Sequence, residues 1–223
     1  MAIARPPAAS GWLQFLPVVG LVEGYEPQPH LIAVKPDIVL PGLAALEVDE
    51  SVAAVLVLIH SLGGDVEAGL ALAETIAGLS KPTASLVMGA GHSIAGVVAS
   101  ATDHTFIVES ATMVVHPLTY PVQLRGYSDS LNTVRDMQKR LTRFIATHRE
   151  IEEKRLEELS RNINEMGEQG TVLSATQAVK EGLVHEIGTV AQAVDYLAKA
   201  VEVVYPGRYT EASSQGGGPA CTM

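Results

Sequence analysis

A single cysteine, Cys221, stands in the 223 residues. One thiol closes no disulfide framework and builds no cysteine zinc site, which fits a reducing compartment. Aromatic residues supply only 4% and charged residues only 18%, against 47% hydrophobic. The core must therefore be built from Ala, Val, Leu and Ile, either by close packing of small side chains or by burial of surface in an oligomer. A basic surplus is missing too. With 15 Lys and Arg against 25 Asp and Glu, the net charge is −10, and no Lys/Arg cluster interrupts it. Such a surface repels phosphate backbones, so nucleic-acid binding is not expected. No run approaches the roughly 20 apolar residues of a membrane span. Residues 1–10 also lack the apolar stretch of a signal peptide. A cytoplasmic address is the default expectation.

What is present is an alternation of strand and helix signals in one domain, expected over 12–205. The Ala/Pro-rich residues 1–11 and the tail 206–223, with Gly216, Gly217 and Gly218, read as flexible ends. A short strand is read at Val18 to Val22. The continuous apolar run from Val52 to Ile59 suits a strand buried on both faces. Val66 to Gly78 carries helical periodicity, closed by Lys81-Pro82. Thr83 to Met88 reads as the next buried strand, Gly89-Ala90-Gly91 as a turn, and Ser93 to Ser100 as a small-residue helix. Strands follow at Thr105 to Val108 and Met113 to Val115. This βαβ series implies an α/β layered fold. From 128 to 148 runs a long amphipathic helix striped by Leu131, Val134, Leu141 and Ile145. It either projects onto a partner subunit or packs on its own sheet. Helices at Ile151 to Arg161, Ala175 to Glu181 and Val190 to Ala200 complete the chain, with a turn and short strand over Gly167 to Val172.

Three features carry chemistry. Met88 to Gly96 takes a buried strand through glycines into a helix that begins at Ser93. There the free amides of a helix N-terminus favour developing negative charge, although serine is also a common N-cap. Ser61-Leu62-Gly63-Gly64-Asp65-Val66 is a second strand-to-helix turn, whose paired glycines permit close backbone approach. An ordinary βα turn would look the same. His116 follows Met113-Val114-Val115 and precedes Pro117. It is either a base at a strand end or a satisfied core histidine. His60, His92 and His104 compete with it. His104, after Asp103, reads as a surface turn, and His92 adjoins Ser93 too closely in sequence for nucleophile–base geometry.

In this order, glycine turn, serine elbow, histidine, the motifs resemble the Clp peptidase family of the Clp/crotonase fold. Ser61 to Val66 is similar to its Ser-Pro-Gly-Gly-Ser-Val turn, Met88 to Ile94 to its Met-Gly-x-Ala-Ala-Ser-Met elbow, and Val114 to Pro117 to its Met-Ile-His-Gln-Pro. Leu173-Ser174-Ala175 and Ala178 to Val184 resemble its late segments. Gly63 to Ala71, Leu79 to Thr83 and Gly91 to Ile94, including His92, resemble the translocation-enhancing branch of that family.

The resemblance implies repeated ββα layers with a projecting handle helix over about 128–148. It implies a serine peptidase with Ser93 as nucleophile, His116 as base, and the Gly64 and Ile94 amides as oxyanion hole. It also implies peptide or unfolded-protein substrates and a homo-oligomer, in that family a heptameric ring stacked in pairs. No cofactor or metal is implied. For the family's third triad residue, an aspartate, counting forward gives Asn162. Counting back lands near Met166, which keeps Asn164, Glu165 and Glu168 as candidates.

Two segments depart from the pattern. Leu118 to Arg125 replaces the Gly-rich substrate strand and includes Pro121, which cannot donate to a ladder. The N-terminal segment does not match the loops that engage an AAA+ unfoldase, so ATP-independent and ATPase-assisted hydrolysis both stay open. Two other functions compete. One is a Clp-like scaffold subunit that has lost efficient turnover. The other is a crotonase-type acyl-CoA enzyme, disfavoured by a serine at the elbow where a carboxylate would be needed.

Overall fold

The computed structural model describes residues 11–24, 30–118, 127–163 and 169–206. The expected flexible ends lie almost wholly outside these residues, as do Pro121, Asn164, Glu165 and Glu168. Strand β1 (Leu13–Val22) leads through β2 (Ala33–Val34) and helix α1 (Pro36–Val48) to β3 (Ala54–Gly64) and α2 (Val66–Ala77). Next come β4 (Thr83–His92), α3 (Ile94–Ser100), β5 (His104–Ile107) and β6 (Thr112–Val115). Then follow α4 (Tyr127–His148), α5 (Glu153–Arg161), β7 (Thr171–Ser174), α6 (Ala175–Lys180), β8 (Glu186–Ile187) and α7 (Val190–Val204).

The strands form one sheet in the order β2-β1-β3-β4-β5-β8, all parallel along this path, with β6 branching from β4 and β7 antiparallel to β6. Side chains alternate across it. Val55, Val57 and Ile59 of β3 join the core under α1, α2 and α3, while Ala54 and Leu56 join a second core with Leu197 and Val201 of α7. That two-sided burial is why the strand reads as unbroken apolar sequence. Full burial of a side chain such as Leu56 contributes about 2 kcal/mol.

Helix α1 was not expected from the sequence. Pro36 sits in its first turn, where a missing N–H costs nothing, but Pro41 lies inside it and reads as a breaker. The buried side chain of Leu43 anchors the helix regardless. The long helix α4 packs on its own domain over its second half. Leu141, Phe144 and Ile145 pack on the body, and Arg140 grips Glu67 of α2 with both terminal guanidinium nitrogens. Upstream, Asn132, Thr133, Arg135 and Asp136 are exposed.

His104 is no surface turn. It opens β5, stacks between His185 and Tyr196 at centroid distances of 4.3 and 4.4 Å, and meets Glu186 at 2.9 Å. His185 accepts the Thr105 N–H at Nδ1 (3.0 Å), and Arg149 lies 3.5 Å from its Nε2. Burial first, then the Arg149 and His104 charges, depress the His185 pKa to about 4. An unfolded histidine titrates near pH 6.5, about where His185 would bind its proton once released. As pH falls from about 6.5 to about 4, the unfolded chain takes up a proton that the fold refuses, so this contribution to stability is lost across that window and levels off below it. The ring is partly open to water, which screens the effect to about 1 kcal/mol. His185→Asn, which keeps an acceptor at the Nδ1 position, is expected to flatten the fall in Tm between about pH 7 and about pH 4.5. An equally steep fall in that variant would assign the acid sensitivity elsewhere.

Candidate active site

Strand β4 is where the sheet forks. Ala84 to Val87 pair with β5, and Ala90 to His92 pair with β6. The glycines expected as a turn are thus extended strand. Gly91 is small because a Cβ there would press on Val87 Cγ1 at 2.9 Å. Ser93 then breaks direction with φ 55° and ψ −130°, the only non-glycine positive φ among the described residues. Holding a serine there costs roughly 1–3 kcal/mol. It occupies the N-cap position of α3, yet its hydroxyl makes no capping bond. The ordinary structural reason for a serine at this junction is therefore absent. Its backbone is pinned instead: Ser93 N donates to Val114 O and Ser93 O accepts from Gly96 N, both at 3.0 Å.

The glycine turn faces it. Ser61 Oγ accepts the Gly63 N–H at 3.1 Å. A Cβ on Gly63 would lie 2.8 Å from Ser93 Cβ and 3.3 Å from its Oγ. Gly63 and Gly64 have φ of 106° and 148°, and a Cβ on Gly64 would collide with the Val22 carbonyl. Asp65 then caps α2 by accepting the Ala68 N–H at 2.8 Å.

His116 follows β6 and lines the same cleft as Ser93, a space of about 60 Å³ floored by Val97, Met113, Leu141 and Leu156. Its Nδ1 lies 2.7 Å from Pro117 O. A carbonyl only accepts, so Nδ1 carries the hydrogen and Nε2 of the neutral ring keeps its lone pair. That is the tautomer of a general base.

Asn162 makes no hydrogen bond to this ring. Its amide donates to Thr171 Oγ1 at 2.8 Å, and its carbonyl accepts the Gly170 N–H at 2.7 Å. The segment nevertheless runs beside the histidine, because a Cβ on Gly170 would lie 2.8 Å from His116 Cβ. Sequence reasoning missed the Pro117 carbonyl. A backbone oxygen leaves no residue signature, and the only available signal was the His-Pro pair. It also set aside His60 and His92 as competitors. His92 Nε2 pairs with Thr112 Oγ1 at 2.8 Å. Burial first, and then the nearby His116 and His60, lower the His92 pKa.

The glycine turn, the elbow and the histidine all fall within residues 34–191, which match the family model of the Clp protease. The chain belongs to the Clp protease family. This family member is 36% identical over 191 residues to the translocation-enhancing protein TepA of Halalkalibacterium halodurans, across 85% of this chain and 75% of that protein. Its forked α/β sheet with helices on both faces accords with the Clp/crotonase fold. Among the described residues of this Clp protease family member, no helix is long and apolar enough to cross a membrane.

Proposed function

We propose that the chain is a serine peptidase in which Ser93 is the nucleophile and His116 its base. The observation that carries the reading is Ser93 itself, a strained, uncapped serine sharing a cleft with a histidine whose free lone pair is at Nε2. Ser93 Oγ adds to the acyl carbon of a peptide as His116 Nε2 takes its proton. The C–N bond then breaks, and the same proton passes to the leaving amine. Water repeats the sequence and releases the acyl group. Ile94 supplies an amide at the start of α3, where no intrahelical acceptor exists. Gly64 supplies the second oxyanion donor, because the Gly63 N–H is already held by Ser61.

The Pro117 carbonyl takes the orienting part of a third triad member. It offers a dipole where an aspartate would offer a charge, so the imidazolium is less well stabilised. This observation favours a second reading, a Clp-like scaffold with little turnover. Either reading fits a homo-oligomeric ring, with the exposed Asn132, Arg135 and Asp136 of α4 at a contact between rings.

A fluorophosphonate probe separates the two readings. We expect one adduct on Ser93 by intact mass, absent in Ser93→Ala and His116→Ala and retained within about twofold in Asn162→Ala. No adduct on the assembled oligomer would favour the scaffold.

A further inference from the structure

The ladder between β3 and β4 breaks immediately below the elbow. Ile59 pairs with Val87 and Ser61 with Gly91, so Met88, Gly89 and Ala90 together oppose the single residue His60. Such a bulge leaves backbone donors without their ladder partners. Here the His60 side chain fills the gap: its Nδ1 accepts the Ala90 N–H at 3.2 Å. Gly89 makes room for the ring, since a Cβ there would lie 2.5 Å from that same Nδ1. On the other side of the elbow, β6 holds His92 through Thr112 and Ser93 through Val114. The very next residue of β3, Ser61, accepts the Gly63 N–H of the glycine turn.

We propose that His60 is a positioning residue, which bolts the bulged strand carrying Ser93 to β3 and so fixes the nucleophile in register with the glycine turn that Ser61 holds. The role rests on the serine-hydrolase reading for its consequence, though not for the bolt itself. His60 touches no reacting atom. It acts through Ala90, three residues before Ser93.

The bolt requires a neutral ring. A protonated imidazole has a hydrogen on both nitrogens and cannot accept from Ala90. Asparagine supplies an acceptor at the Nδ1 position, so His60→Asn keeps the bolt. His60→Ala removes it.

The experiment compares the parent, His60→Ala and His60→Asn by amide hydrogen exchange over residues 88–93 and by the rate of fluorophosphonate labelling of Ser93 from about pH 5 to about pH 8. Exchange is expected to quicken about tenfold at Ala90 in His60→Ala and to return to the parent value in His60→Asn. Labelling is expected to fall about tenfold in His60→Ala, with rescue in His60→Asn. Equal protection at Ala90 in all three proteins would overturn the bolt. Lost protection with unchanged labelling would overturn its coupling to Ser93. A parent that takes no label at all would refute the hydrolase reading, while the exchange comparison still decides the bolt.

Discussion

Ser93→Ala is expected to lower kcat/KM for peptide hydrolysis by about 10⁴- to 10⁶-fold, with His116→Ala costing about as much and the double variant little more. In the proposed mechanism the two side chains act in one step, so removing the second after the first removes nothing further. Neither substitution should disturb the fold. Ser93 makes no side-chain cap, and alanine lacks only the hydroxyl, although it inherits the same strained φ of 55°. His116 gives up one bond, to its neighbour's carbonyl. Hydrolysis rates with a short fluorogenic peptide, alongside Tm and oligomer size, check this. Losses that add, or activity that survives Ser93→Ala, would place the chemistry elsewhere.

Gly64→Ala is the second large effect. At φ 148° an L-residue is strained, and the new methyl would drive into the Val22 carbonyl, which already accepts the Asp65 N–H at 2.8 Å. That contact is backbone against backbone, so no rotamer change relieves it. The turn must move, and its amide moves with it. We expect kcat to fall about 10²- to 10³-fold, the usual cost of losing one oxyanion donor, with KM changed less and Tm lowered by several degrees. Wild-type kcat with only a lowered Tm would mean that the Gly64 amide is not a donor, and the glycine would then serve close packing alone.

The two glycine-marked strand ends that bring Gly63, Gly64 and Ser93 together were legible because they are written in residues. Paired glycines, here at φ of 106° and 148°, and a serine two residues after Gly89-Ala90-Gly91 mark the two strand ends, which an ordinary βα turn and an N-cap would also mark in sequence. The helix α2 boundary was legible for the same reason, since Asp65 is a side-chain cap. Other parts were hidden for physical reasons. Gly89-Ala90-Gly91 looked like a turn because glycine marks both turns and close strand contacts. Helix α1 was hidden by Pro41, whose penalty is outweighed by the burial of Leu43. The partner of His116 Nδ1 was sought among Asn162 and Glu168 because carboxylates and amides can be counted along a sequence. The structure puts a carbonyl there for the first contact, and Glu168 lies outside the described residues.

The fork at β4 divides the site between two bodies. Ser93 ends the long parallel sheet, whereas His116 ends a short two-stranded arm, β6 with β7, joined to it by the pairs Ala90–Thr112, Gly91–Met113 and His92–Val114. Two of the departures from the family pattern, Leu118 to Arg125 and the stretch around Asn162, fall between β6 and β7 in the sequence. The mountings of the proposed nucleophile and of its proposed base are thus separate modules. Loops on the arm can be lengthened, shortened or exchanged, and the basicity and reach of His116 retuned, while the strand that strains Ser93 keeps its own foundations.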